Sequence, residues 1–293
     1  MNKLIFPIFL LFLVSCDNEI EIHDKKIEKE DVNRNFHLPK LPQSVLFCGK
    51  EYNLDNFDIK ERLDKELIIN TYYHSLTIQS FKRANRFFPE LQILLNDNNV
   101  PDDMKYLCLI ESGLIQAVSP SGAKGFWQFM PLTAKEYGLK VNKEIDERLH
   151  IEKSTIAACE YLNDANEHFD DWVLSAAAYN RGVAGIESDL SSQNVSNYFD
   201  IHLNNETSRY VFRILALKII FENPEAYGFN IDDIELYEPF KTRIVDVDYT
   251  INNLMIWAKE QNSNYHMLKL LNPWLISTKL TYKGTKYQIQ LPL

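Results

Sequence analysis

Several kinds of chemistry are missing from this chain before any motif is sought. Its seven histidines show no ligand spacing such as His-Glu-x-x-His, and its nine glycines include no phosphate-cradling loop, so neither a metal nor an organic cofactor is expected. Acidic residues outnumber basic ones, 41 to 31, and the net charge of -10 argues against a nucleic-acid partner. Strand signals are nearly absent before residue 243, and no internal repeat stands out. Only four cysteines occur, without the close pairs or histidine neighbours of a zinc site. Cys108 and Cys159 fall in apolar helical patterns and read as small core residues, although a disulfide between them stays open in an oxidising compartment.

What is present begins with a leader. Lys3 supplies a positive charge, Leu4 to Val14 is apolar apart from Pro7, and Leu13-Val14-Ser15-Cys16 follows. Crossing a bilayer takes about 20 apolar residues, so the run is too short for an ordinary span and reads as a secretory signal peptide over 1–15. An uncleaved N-terminal anchor is the competing reading. Leu-Val-Ser-Cys also resembles the lipobox of bacterial lipoproteins, which implies lipidation at Cys16. The expected location is therefore the cell envelope, lipid-anchored at the outer membrane and facing the periplasm. Asp17 leaves the choice of membrane open.

Residues 16–44 are dense in charge and read as a flexible tether. The remainder, with 45% hydrophobic content over the chain, suffices for a large domain and a small one. From residue 58 to 96 apolar groups recur at helix spacing with an interruption at Pro89, and Pro101-Asp102-Asp103 opens the next helix. Further helices fit 131–138, 152–169, 171–180 and 206–222. Beyond residue 242 the pattern changes to a strand over 243–249, short helices over 251–260 and 264–271, and a strand over 286–291. The expected fold is mainly α, with a small α+β module at the C-terminus.

One residue breaks the helical pattern. Met104, Leu107, Cys108 and Glu111 occupy one helical face, and no Lys or Arg lies within five residues of the glutamate. Desolvation raises a carboxyl pKa, and a glutamate still protonated near neutral pH can serve as a general acid. Three more clusters follow. Ser119-Pro120-Ser121-Gly122-Ala123-Lys124-Gly125 leads into Phe126-Trp127-Gln128-Phe129-Met130, where small residues admit a ligand and the aromatic and amide groups suit a sugar. Tyr179-Asn180 follows a run of small residues, and Glu206-Thr207-Ser208-Arg209-Tyr210 begins a helix. Taken singly, each could be a cap or a packed turn.

Together and in this order, Glu111-Ser112, Gly125 to Met130, Ala178 to Gly182 and Glu206 to Tyr210 resemble the motifs of the SLT-type lytic transglycosylases, the lysozyme-like glycoside hydrolase family 23. The resemblance runs from about residue 45 to 230 and departs at Phe126, where the family usually has Leu, and at Gly113-Leu114-Ile115. It implies a lysozyme-like catalytic domain over 101–230 with an N-terminal helical extension over 45–100. Residues 240–293 resemble a LysM-like module, which implies binding of N-acetylglucosamine-containing glycans; the competing reading is that this unit only packs on its neighbour.

The implied activity is that of a carbon–oxygen lyase on peptidoglycan. Glu111 would be the single general acid and base, forming 1,6-anhydro-muramic ends. Ser112 and Asn180 would hold the acetamido group, Tyr179 or Tyr210 would orient Glu111, and Gln128 and Met130 would line the sugar groove. The expected partners are glycan strands and, through Cys16, the membrane; the expected state is a monomer. A lysozyme-like muramidase and an inactive glycan-binding lipoprotein are the alternatives, and the want of a clear second carboxylate beside Glu111 favours the transglycosylase.

Overall fold

In a computed structural model, which describes residues 38–293, helices dominate as the apolar periodicity predicts. The expected signal peptide, Cys16 and the expected tether up to residue 37 lie outside the described residues. No helix among the described residues is long and apolar enough to cross a membrane.

The chain first makes a hairpin that sequence patterning did not anticipate, β1 (Ser44–Phe47) against β2 (Lys50–Asn53). Its turn is Cys48-Gly49, both with positive φ (49° and 79°), which suits the right-handed twist of a two-residue hairpin. Val45 and Phe47 point into the core, and the Cys48 N–H donates to Asp103 at 2.7 Å. Asp103 also takes Lys218 at 2.6 Å, so a buried ammonium ties the hairpin to the helices behind it.

Two long helices follow, α1 (Phe57–Tyr72) and α2 (His74–Asp97). The interruption falls at Tyr73, where φ/ψ is -85°/51°, and not at Pro89, which α2 carries within its length. Thr77 stabilises the break by donating its hydroxyl to the Asn70 carbonyl at 2.6 Å. A 3-10 turn over Asp102–Met104 leads into α3 (Lys105–Ser112), which has Leu107 and Cys108 fully buried. Burying such a Leu contributes about 1.5–3 kcal/mol. Then come α4 (Pro131–Glu136), α5 (Ile151–Phe169), α6 (Trp172–Arg181), α7 (Val183–Gln193) and α8 (Asn205–Glu222). Sequence periodicity missed α7, an interrupted pattern of Val183, Ile186 and Leu190 among Ser, Asp and Gly. Helix α8 lies along α1, where Arg209 makes a two-pronged ion pair with buried Glu66 at 2.5 and 3.1 Å.

One apolar core runs from Val45 to Phe229, so the N-terminal helices and the segment after residue 100 share an interior. The C-terminal module has the expected strand-helix-helix-strand order: β3 (Thr242–Val247), α9 (Leu254–Glu260), α10 (Tyr265–Leu271) and β4 (Tyr287–Pro292), with β3 antiparallel to β4. Its core, built around Val247, Leu254, Trp257 and Ile289, also takes in Ile145 and Leu149 from the segment before α5.

Candidate functional site

Helix α3 is short and ends abruptly, one residue past Glu111. Gly113 adopts the left-handed conformation (φ 61°), returns its N–H to the Leu109 carbonyl at 2.8 Å, and gives its own carbonyl to Arg83 Nε at 2.5 Å. Glu111 is half-buried on the face shared with the core. Burial pushes its carboxyl pKa up; the Tyr210 hydroxyl bond and the Arg213 charge oppose this, while the Glu206 charge adds to it, and the net direction is upward. The sequence expectation of a raised carboxyl pKa is thus matched in direction, though the group has neighbours that the local sequence could not show.

Of the two tyrosines expected to orient Glu111, Tyr210 is the one in contact: fully enclosed on α8, it donates its hydroxyl to Glu111 Oε1. Tyr179 instead donates to the Trp127 carbonyl at 2.8 Å. Burial and the nearby Glu111 charge push both phenols above their ordinary range, so each stays a donor. A hydrogen bond to the charged form favours that form. Tyr210→Phe should therefore raise the Glu111 pKa further, which a carboxyl-carbon NMR titration reads directly; a lower pKa in this variant would refute the assignment of that bond.

The loop before α4 is held from several sides. Trp127 Nε1 donates to Thr155 Oγ1 at 2.9 Å, the Cys108 thiol reaches the Phe126 carbonyl at 3.7 Å, and Phe126 packs edge-on against Phe87. Cys48, Cys108 and Cys159 are all free thiols, the last two buried as expected. Gln128 has positive φ (49°), and its amide nitrogen donates to the carbonyls of Ala117 and Gly125 at 3.2 and 2.7 Å, closing the loop on itself. Met130 is exposed.

Ser112 and Asn180 both bond within the protein. The Ser112 hydroxyl donates to the Cys108 carbonyl at 3.3 Å and accepts from the Leu114 N–H at 3.1 Å, so it finishes the helix. Asn180 accepts the Thr207 hydroxyl at 2.9 Å and its amide nitrogen approaches Glu206 Oε1 at 3.5 Å. That bond joins the end of α6 to the start of α8. Glu206 is a second carboxylate whose charge reaches Glu111, where local sequence indicated none; it is exposed in the first turn of α8.

Sequence reading missed Asp146 and Arg148. Both are buried, and the guanidinium grips the carboxylate through Nε at 2.9 Å and Nη2 at 2.8 Å. Burial alone would raise the Asp146 pKa, but Arg148 and Lys124 outweigh it and hold the carboxyl below its ordinary range. The run Ile145-Asp146-Glu147-Arg148-Leu149 has the look of a solvated turn, and only the flanking apolar pair hinted otherwise. Among the described residues, no group of three or more His, Cys, Asp or Glu is arranged to hold a metal ion.

The geometry is a half-buried carboxylate at a helix end, beside a tyrosine hydroxyl and a braced small-residue loop. Comparison with known proteins bears on what such a site belongs to. Residues 92–201 match the family described as the transglycosylase SLT domain, and residues 243–293 match the soluble lytic transglycosylase C-terminal LysM-like domain. The chain is similar to membrane-bound lytic murein transglycosylase D of Escherichia coli (strain K12), 31% identical over 191 residues, covering 62% of this chain and 41% of the relative. The protein of the same name from Escherichia coli O6:H1 gives the same figures, so the chain spans about two fifths of the length of these relatives. The chain thus matches the transglycosylase SLT domain in its helical part and the LysM-like C-terminal domain in its strand-helix-helix-strand module.

Proposed function

We propose that this protein is a peptidoglycan lytic transglycosylase in which Glu111 is the general acid and then the general base. The observation that carries the reading is the raised carboxyl of Glu111, protonated over a wider pH range than an ordinary glutamate and held by Tyr210. Protonated Glu111 gives its proton to the oxygen bridging N-acetylmuramic acid and N-acetylglucosamine, and the C–O bond on the muramic side breaks. The muramic 2-acetamido oxygen stabilises the electron-poor anomeric carbon. Ionised Glu111 then takes the proton of the muramic 6-hydroxyl as that oxygen bonds to the same carbon, leaving a 1,6-anhydro end and restoring the acid.

The organisation proposed is a signal peptide over 1–15, a lipidated tether over 16–44 that ends where β1 begins, an extension over 45–100 that opens with the hairpin and continues as helices, the catalytic domain over 101–230 and a LysM-like module over 240–293 that binds glycan. Anchorage at Cys16 would place the enzyme in the cell envelope as a monomer. Ser112 and Asn180 are proposed to hold the muramic acetamido group and nearby hydroxyls, their bonds to the end of α3 and the junction of α6 with α8 fixing where they stand. Gln128 and Met130 are the proposed wall of the groove.

A hydrolytic reading draws support from Glu206, which could activate water in place of the sugar's own hydroxyl. Product mass separates the two. Digestion of purified sacculi is expected to give ends one water lighter than the hydrolytic product, and Glu206→Gln should keep that product; reducing ends from the wild-type protein would instead make it a muramidase.

A further inference from the structure

Arg148 does not touch the reacting centre proposed above, yet it is built into the loop that borders it. Its Nη1 donates to the carbonyls of Gly122 at 2.9 Å and Phe129 at 3.1 Å, near the two ends of the segment holding Gly125 to Met130. The Arg148 carbonyl also lies where a Cβ on Gly125 would stand, 1.9 Å from that position, so this glycine gives the two backbones room to meet. The other side of the guanidinium is fully spent on Asp146. Lys124, from the loop itself, reaches the same carboxylate at 3.3 Å. Five donors in a planar fork let one arginine bridge a carboxylate and two carbonyls, which a lysine ammonium cannot span in the same geometry.

Asp146 faces the other way as well. Its N–H donates to the Trp274 carbonyl at 2.9 Å, and Glu144, two residues earlier, accepts the Thr281 N–H at 2.8 Å and the Lys279 ammonium at 3.1 Å. The segment Glu144–Arg148 that docks the LysM-like module is therefore also the segment that anchors the clamp.

We propose that Arg148 is a positioning residue for glycan binding: with Asp146 it fixes the Gly125–Met130 loop in its sugar-admitting shape, and the docked C-terminal module completes the clamp. The inference rests on the proposed function for what the loop faces, and a binding readout separates the two.

Because a positioning defect of this kind removes substrate contacts and not proton transfer, it should appear in glycan affinity while the titration of Glu111 stays where it was. The test uses the full chain carrying Glu111→Gln, so that ligand survives, with chitotetraose as probe and thermal unfolding as a check on the folded fraction. Adding Arg148→Lys or Asp146→Asn is expected to weaken binding about tenfold or more in protein that remains folded. Glu144→Ala should weaken it less, and its effect should shrink when Arg148→Lys is already present, since both act through one element. Affinity within twofold of the parent in both Arg148→Lys and Asp146→Asn would overturn the proposal, as would strictly additive effects of Glu144→Ala and Arg148→Lys. In the protein with Glu111 restored, Arg148→Lys should raise KM and leave the pH limits of kcat/KM unmoved; a shifted limit would mean that Arg148 acts on Glu111 and not on the loop. Failure of the wild-type protein to cleave peptidoglycan would sink the proposed function while leaving the binding result to judge this inference.

Discussion

Glu111→Gln should reduce the release of anhydro-muropeptides from sacculi by about 10³-fold or more, since one group supplies both proton transfers and general acid–base catalysis alone contributes about 10²–10⁴-fold. The substitution keeps an oxygen for the Tyr210 hydroxyl and nearly the same shape, so the fold and glycan affinity should persist. It should also stabilise the protein in a pH-dependent way. A carboxyl whose pKa is raised on folding binds its proton more tightly in the folded state. Between the unfolded and folded pKa values the native state therefore holds more protons than the unfolded one, and stability falls as pH rises through that window. A neutral amide escapes the loss. Melting temperature is thus expected to be higher for Glu111→Gln than for wild type at about pH 7.5, with the gap closing towards about pH 4. Equal melting temperatures at both pH values would mean that the carboxyl is not destabilised by its setting, and the argument for its acid role would lose its physical basis.

Gly125→Ala should be the most damaging single methyl addition in the loop. The residue has φ of 82°, a region that costs an L side chain about 1–2 kcal/mol, and the new Cβ would overlap the Arg148 carbonyl. No flexible side chain can give way, because the obstructing atoms are backbone. The loop or the Asp146–Leu149 segment must move, and a displacement of about 1 Å near a reacting centre can cost about 10²-fold. Gly122→Ala is the matched comparison: it shares the positive φ (91°) but meets nothing within 4 Å, so it should lose only the conformational contribution. Activity assays and thermal unfolding of the two variants side by side check this. If Gly125→Ala were no worse than Gly122→Ala, the tight approach between loop and clamp would carry no weight.

Much of this site could be read from local sequence because its parts obey local rules. A carboxylate at i+7 on an apolar stripe marks Glu111 without any tertiary information, and proline followed by two acids marks the start of its helix. The strand-helix-helix-strand order of the C-terminal module was legible for the same reason. Long-range pairing was not. Tyr210 lies 99 residues from Glu111, and sequence offered it only as one of two tyrosines. The Asp146–Arg148 pair hides in a charged pentapeptide, because nothing local distinguishes a buried ion pair from a solvated turn. Ser112 and Gln128 are polar groups whose bonds go back into their own backbone, a use that a motif cannot reveal. The hairpin at residue 44 was lost to its brevity, four residues a strand, although Cys48-Gly49 carried the turn signal.

The central claim is that Glu111 drives a sugar-cleaving reaction in which the substrate's own hydroxyl is the nucleophile. Mass spectrometry of the soluble products from sacculi, wild type against Glu111→Gln, tests it most directly. The account predicts 1,6-anhydro-muropeptides from the wild-type protein and essentially none from the variant, with both proteins still sedimenting with the sacculi. Undiminished anhydro products from Glu111→Gln would contradict it.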